Sequence, residues 1–438
     1  MPIDLRTLVI TSPRVFPTLG GAAVRNWQNV NILAEFGPVG TFTLLDRPSQ
    51  PDFEQPDLLE LAVEHLPEAD RHRRPLGQRL RDDLWPVRPL GYPRTDRLFD
   101  DDGKAKLHRV LRRLEPNLVI FEELWAFRYF DVVRHHSDQS VKIVYDAHNV
   151  EGSLRQSILH DDETARVGQG SWRQSIKSRS LIRGLRDVER HLANAADQVW
   201  VCSHDDREEL TRLYGLSPSV TVVPNGVKVD EFESASPLPQ RAGRDPIVLF
   251  VGSFGYAPNA QAAGFMIQVV LPRVWRVLPR CRLVLVGRDP TSPMRLAASR
   301  DSRVSLTGTV PDVRPFLTSA DVVVAPLLVG GGTRLKILEA FAARRPVVTT
   351  SKGAQGLMLK DGTHALIRDD PDDFAKAVIE LIESKDLAGS LTAPAYELVA
   401  SRYDWQAVAL DVRAALVGLF GQDPMVANGP RTSPRPRP

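Results

Sequence analysis

The chain has 438 residues, 42% hydrophobic and 25% charged, enough for two domains with separate buried cores and too much for one compact unit. Lysine and arginine number 56 against 54 aspartates and glutamates, a balance that gives no global field to concentrate nucleic acid. The two cysteines, Cys202 and Cys281, lie far apart and outside metal-ligand spacing, which argues against a disulfide scaffold or a zinc site and for buried thiols in a reducing cytoplasm.

The first residues, 1–13, lack the basic start, long apolar middle and small-residue cleavage site of a signal peptide, and no apolar run approaches the roughly 20 residues that span a bilayer. The run 7–11 reads as a buried strand. The loop after it, 12–21, falls where an open α/β sheet keeps its ligand crevice. Gly20 and Gly21 belong to this loop and Arg25 to the helix that follows. Taken singly, the glycines fit a tight strand-to-helix turn equally well, and an arginine on a helix commonly faces solvent.

Further runs rich in Val, Ile and Leu at 39–45, 117–121, 141–145, 198–202 and 220–223 alternate with longer helical patterns, the mark of a parallel sheet covered on both faces. Residues 67–102 break that rhythm with prolines, arginines and isolated apolar residues, and read as a long functional or mobile loop. Asp100, Asp101 and Asp102 and the pair His135 and His136 have metal-ligand chemistry, but their loop and helix contexts favour solvated faces. Glu122 and Glu123 end a strand, where they orient a ligand hydroxyl, cap a helix or pair with arginines. His148 stands at the end of the next strand, in Asp146-Ala147-His148-Asn149-Val150-Glu151. The basic stretch 173–190, with Leu181, Ile182 and Leu185 interleaved, suits an anionic membrane surface or a lipid-linked ligand, although Asp187 and Glu189 weaken that reading. Ser203 with Asp206 reads as a helix N-cap.

Val223-Pro224-Asn225-Gly226-Val227 and the Pro- and Gly-containing stretch 234–245 mark a domain junction. Beyond it, runs at 247–251, 282–286, 304–307, 322–325 and 346–349 predict a second doubly wound sheet. After the fourth of these comes Gly330-Gly331-Gly332-Thr333-Arg334-Leu335-Lys336-Ile337-Leu338-Glu339, a glycine loop running into a helix. Such a loop approaches a ligand closely, and the free N–H groups of the helix start favour an anion, so a phosphate is the natural guest. The pattern places Leu335, Leu338 and Ala342 on a core stripe and Lys336 and Glu339 on another face, Lys336 for a phosphate and Glu339 for vicinal hydroxyls. The spacing matches neither a P-loop nor a dinucleotide fingerprint. Residues 403–420 carry Val408, Val412, Ala415 and Leu419 at helical spacing, and 422–438, rich in Pro and Arg, reads as a disordered tail.

Several segments together resemble the GT-B fold retaining glycosyltransferases of group 1, often called family four. They are 223–227, Phe250-Val251-Gly252-Ser253, Gly308-Thr309-Val310 with Asp312 before Ala320-Asp321, Lys336-Ile337-Leu338-Glu339-Ala340 followed by Pro346-Val347-Val348, and Tyr403-Asp404-Trp405. The resemblance covers most of 197–420. It implies an α/β protein of two Rossmann-like domains facing a central cleft: 1–228 binding the acceptor, 229–402 binding the nucleotide sugar, and the 403–420 helix packing back on the first.

It further implies transfer of a sugar from a nucleoside diphosphate sugar to a glycan, lipid-linked or small-molecule hydroxyl with retention, in cell-surface polysaccharide or glycoconjugate synthesis, without a metal or other cofactor. The implied location is the cytoplasm, with peripheral contact at the inner membrane face as a further possibility. An inactive partner subunit and a sugar-nucleotide epimerase of the same fold are the alternatives. Glu339 corresponds to the second glutamate of the family's Glu–seven residues–Glu motif, which contacts the donor ribose, while Gly331 stands at the first. The loop N–H groups of Gly330, Gly331, Gly332 and Thr333 are then expected to serve the donor. Gly252 and Asn259 line the nucleotide side, and the cations that usually follow the first strand there are absent, leaving Arg334 and Lys336 as replacements and Arg288 as a weaker one. Val310 and Val313 correspond to residues that pack on the base, or are simply core. Gly20, Gly21 and Arg25 correspond to the first glycine loop, and His148 to a histidine that touches the reacting sugar.

Overall fold

The computed structural model describes residues 4–12, 21–46, 64–67, 99–136, 141–165, 172–216, 218–238 and 243–424. Two parallel sheets organise them. The first holds β1 (Thr7–Thr11), β2 (Val39–Asp46), β3 (Glu64–Pro67), β4 (Leu118–Glu122), β5 (Lys142–Ala147), β6 (Gln198–Val201) and β7 (Ser219–Val222), in the order β3-β2-β1-β4-β5-β6-β7. The second holds β8 (Ile247–Val251), β9 (Arg282–Val286), β10 (Val304–Gly308), β11 (Val322–Ala325), β12 (Val347–Thr349) and β13 (Leu366–Ile367), in the order β10-β9-β8-β11-β12-β13.

Both sheets reverse their strand order beside their first strand, between β1 and β4 and between β8 and β11, where an open α/β sheet leaves a crevice at the carboxyl ends of its strands. The apolar runs at the centre of each sheet became strands because both of their faces are buried, whereas β7 and β10 at the edges are largely half-exposed. Leu8 and Ile10 of β1 point into one core and Val9 into another; Val248 and Phe250 of β8 do the same opposite Leu249 and Val251. Two strands were not anticipated. β3 is only the four residues Glu64–Pro67, and β13 is only two residues long.

The helix Trp405–Phe420 buries Val408, Val412, Ala415 and Leu416 and packs with Val30 and Leu33 of the helix Gly21–Ala34, on the first sheet. Leu419, expected on the buried stripe, is only partly covered, and Leu416 takes its place. Val227 pairs with Asp404 where the chain crosses between the sheets, so outgoing and returning segments run side by side. Gly20, most of the 67–102 stretch and the tail from 425 lie outside the described residues, as do the side chains of 173–178.

Candidate active site

The carboxyl ends of β1, β4, β5 and β6 meet around a buried polar network. Arg25, from the helix after β1, donates to both carboxylate oxygens of Asp146, Nε to Oδ2 at 2.8 Å and Nη2 to Oδ1 at 2.7 Å. It also donates to the Val223 carbonyl at 2.9 Å and to Asn225 Oδ1 at 3.2 Å. Only 1% of Arg25 is exposed, so it is neither a solvated helix residue nor a free phosphate ligand; it ties the first helix to the junction. Asn29 Nδ2 bridges Asp146 Oδ2 (2.9 Å) and Glu122 Oε1 (3.0 Å). Turned so that its oxygen accepts from Thr11, the Asn26 amide donates to Glu122 Oε2 at 3.2 Å.

His148 leans into this network with Nε2 2.8 Å from Glu122 Oε2, and its Nδ1 faces Glu123 Oε1 at 3.8 Å. Burial alone lowers the His148 pKa, but the Glu122 hydrogen bond and the charges of Glu123 and Asp146 raise it above the ordinary histidine value. Burial and the adjacent Asp146 push the Glu122 carboxyl up. Burial pushes Asp146 the same way, but Arg25 and His148 hold it below the usual carboxylate range. Glu122 and Asp146 therefore titrate together, and the raised His148 pKa favours the ring form that keeps an N–H for a ligand. Ligand atoms of Glu122, Asp146 and His148 lie within 4.8 Å of one another, close enough for a metal, yet the arginine and the asparagine already satisfy the two carboxylates. Glu123 has φ 65° and ψ 170°, a backbone region almost restricted to glycine, and such strain clusters at functional positions.

The facing wall is built by β8, β11 and the loops after them. Lys336 Nζ donates to Asn259 Oδ1 at 2.7 Å and lies 4.4 Å from the centre of the Phe250 ring. A Cβ on Gly252 would stand 3.0 Å from the Asn259 amide and 3.3 Å from Lys336 Nζ, so glycine is what lets these two groups meet. Burial, helped by Arg334, lowers the Lys336 pKa to about 7 against the pull of Glu339. The helix Leu335–Ala342 begins without a side-chain cap. Its buried stripe is broader than the sequence reading, with Ile337, Ala340 and Phe341 joining Leu338 and Ala342, while Leu335 turns out toward Gly21 of the first domain. Glu339, one turn beyond Lys336, is raised by burial.

Arg334 departs from its expected role. Its Nη atoms donate to the carbonyls of Gly330, Gly332 and Lys352, its Nε is buried without a partner, and only 5% of the residue is exposed. It braces the glycine loop from within, and the cation beside Gly252 is Lys336. Arg288 is engaged by Ser253 Oγ at 3.1 Å. Val310 and Val313 pack partly buried against the second core.

The loop 330–333 is also where the two domains touch. Gly332 has φ +72°, and a Cβ there would stand 2.4 Å from Asn149 Oδ1; on Gly331 it would meet Leu154 Cδ1 at 3.2 Å and Asn149 Oδ1 at 3.5 Å. Asn225 Nδ2 donates to Thr333 Oγ1 at 2.9 Å, and the Gly356 N–H to Asp205 Oδ2 at 3.2 Å. The sequence reading missed Asn149, Asn225 and Glu151, although two of them flank His148 and the third lies in the junction motif.

The other candidates have structural accounts. Asp100 caps the helix Asp101–Leu114, and Asp101 and Asp102 pair with Lys104 and Lys106. His136 Nδ1 lies 3.1 Å from His108 Nδ1. Ser203 accepts from the Asp206 N–H at 3.1 Å, as an N-cap does. Leu181 and Leu185 face the first core, and both cysteines are buried. Among the described residues no helix is long and apolar enough to cross a membrane.

Comparison with known proteins agrees with this architecture. Residues 245–384 match the model for glycosyl transferases group 1, and residues 60–231 the model for glycosyltransferase family 4. The chain is 29% identical over 206 residues to a phosphatidyl-myo-inositol mannosyltransferase of Mycolicibacterium smegmatis, covering 46% of this chain and 52% of that protein. It spans about half the length of the mannosyltransferases it matches. Sucrose-phosphate synthase from Thermosynechococcus elongatus superposes with a TM-score of 0.68 at 18% identity, over 95% of this chain and 99% of that one. Anabaena HepE in complex with UDP-glucose gives 0.63 at 17% identity, over 94% and 99%. Each half of the chain thus matches a glycosyltransferase family model, group 1 for the second and family 4 for the first, on one GT-B fold.

Proposed function

We propose that the protein transfers a sugar from a nucleoside diphosphate sugar to an acceptor hydroxyl, with retention, in the synthesis of a cell-surface polysaccharide or glycoconjugate. The observation that carries this reading is the opposition, across one cleft, of a lysine held by Asn259 at an uncapped helix start and a histidine held by carboxylates. The solved structure of Anabaena HepE holds UDP-glucose, and the mannosyltransferase relative acts, by its name, on a phosphatidyl-inositol; both fit a nucleotide-sugar donor and a glycan, lipid-linked or small hydroxyl acceptor.

In this reading Lys336 and the N–H groups of the helix start take the diphosphate, Glu339 takes the ribose, and the sugar lies between the glycine loop and His148. The acceptor oxygen attacks the anomeric carbon on the face from which the diphosphate departs. Its proton passes to the leaving phosphate oxygen, so the products are the glycoside and a nucleoside diphosphate. The protein's contribution is electrostatic and positional: Lys336 and the loop amides stabilise charge growing on the phosphate, and the His148 N–H steadies the sugar. Closure about 224–226 excludes water that would hydrolyse the donor. This chemistry asks for no metal, and the acceptor is reached from the cytoplasm or from the inner face of a membrane.

A thermal-shift screen against uridine, guanosine and adenosine diphosphates and their sugars tests the reading. Saturation at a hundred times the dissociation constant stabilises the fold by about 2.7 kcal/mol. One base should raise the melting temperature as diphosphate and as diphosphate sugar, and the latter should slowly release nucleoside diphosphate. No shift with any of them would overturn the proposal.

A further inference from the structure

We propose that Glu151 of the first domain is the residue that recognises hydroxyl groups of the donor sugar, reaching them from beside the glycine loop of the second domain. The inference rests on the glycosyltransferase reading and names a specificity residue within that site. Glu151 opens the helix Glu151–Ala165 and is half-buried. A glutamate at a helix start ordinarily serves the helix's own N–H groups, but here that task falls to a different side chain. Glu189, fully buried, accepts from the Glu151 N–H at 2.7 Å and the Gly152 N–H at 3.1 Å. The Glu151 carboxylate is thereby released from its own helix.

It accepts one hydrogen bond, from Asn149 Nδ2 to Oε1 at 3.1 Å, and among the described residues it has no ion pair. A carboxylate offers about four acceptor positions, and leaving them empty in a shielded place is costly unless donors arrive with a ligand. The other end of the Asn149 amide sits against Gly331 and Gly332, so a single side chain separates the carboxylate from the loop. Two further groups border the same space. The Tyr256 hydroxyl lies against the loop, 3.6 Å from where a Cβ on Gly330 would stand, and Glu123 sits on its strained backbone 3.8 Å from His148.

These surroundings select the ligand chemistry. Three carboxyl groups disfavour phosphate, which the lysine wall at Gly252 takes instead. A polyol supplies what they lack, O–H donors spaced to span two carboxylate oxygens. Burial first, then Glu123 and Glu189, lift the Glu151 carboxyl to about 7, as befits a group whose stabilising partners come with the ligand.

The test compares wild type with Glu151→Gln, which keeps the shape, and Glu151→Asp, which keeps the charge and stands in for Gln if that variant does not fold. Calorimetry measures the affinity for the nucleoside diphosphate and for its sugar. The expected result is an unchanged diphosphate affinity, a loss of about tenfold or more in the extra affinity given by the sugar, and a collapse of discrimination between epimeric sugars in kcat/KM. An undiminished sugar-dependent gain in a folded variant would overturn the proposal, as would a wild type for which the sugar adds nothing. A wild type that binds neither ligand overturns the glycosyltransferase reading itself.

Discussion

The affinity of the cleft for a nucleotide sugar should fall as pH rises above neutrality, with Lys336 as the cause. Burial and Arg334 bring its ammonium to a pKa of about 7, so the free protein is half protonated there near neutral pH. A diphosphate seated against Nζ requires the ammonium form and returns its pKa toward the ordinary value of about 10.4. Binding then takes up a proton, and the apparent dissociation constant rises about tenfold per pH unit above 7, or about fiftyfold between pH 7 and pH 9. The diphosphate of a nucleotide sugar is a diester without an ionisation in that interval, so the slope belongs to the protein.

The stability of the unliganded protein runs the other way. The folded pKa of this lysine lies below its unfolded value, so the unfolded chain binds more protons between the two, and the contribution to stability grows as pH climbs from about 7 toward 10.4. Calorimetry from pH 6.5 to 9 in two buffers of different ionisation enthalpy reads both the slope and the proton uptake. Lys336→Met should bind weakly at pH 7 and lose the slope. A wild type whose affinity is flat across this range, or a methionine variant with the same slope, would refute the assignment of Lys336 to the diphosphate.

Two further expectations concern the scaffold. Arg25→Met should cost about 3–5 kcal/mol in denaturant unfolding, because it strands the Asp146 carboxylate at 0% exposure, and adding Asp146→Leu should recover a large part; a cost under about 1 kcal/mol would mean the pair is dispensable. Gly332→Ala should cost about 1–2 kcal/mol from its left-handed backbone and more from the clash with Asn149, so that Asn149→Ala in the same chain relieves only the second part, a non-additivity that unfolding of the single and double variants measures.

Much of this architecture was legible in the sequence because parallel strands buried on both faces leave short apolar runs, rich in Val and Ile and bounded by turn residues. β3 and β13 escaped for the same reason: a four-residue edge strand of Glu64, His65, Leu66 and Pro67 and a two-residue strand leave no such run. In the site, Lys336 and His148 were legible from the loops they follow. The fates of Arg25 and Arg334 were not. Which acceptor a guanidinium meets depends on residues over a hundred positions away, such as Asp146 for Arg25, or on how a glycine loop folds back on its own carbonyls, as with Arg334. Helical periodicity predicts a face, and only tertiary packing tells whether that face meets water, core or carboxylate.

The glycine loop shows how far this dependence changes a reading. From the sequence, three consecutive glycines signal close approach of backbone to a phosphate, and Gly331 signals a missing carboxylate. In the fold, Gly331 and Gly332 give clearance to the first domain: Leu154 and Asn149 stand where side chains would be, and Asn225 locks Thr333 from the junction. A glutamate at 331 would have to displace Leu154, whose Cδ1 lies 3.2 Å from the position of its Cβ. The small residues and the bulky ones opposite them are therefore one feature divided between two domains. If sugar recognition needs a carboxylate here, the side of the cleft with room to supply one is the first domain, through Glu151 beside Asn149.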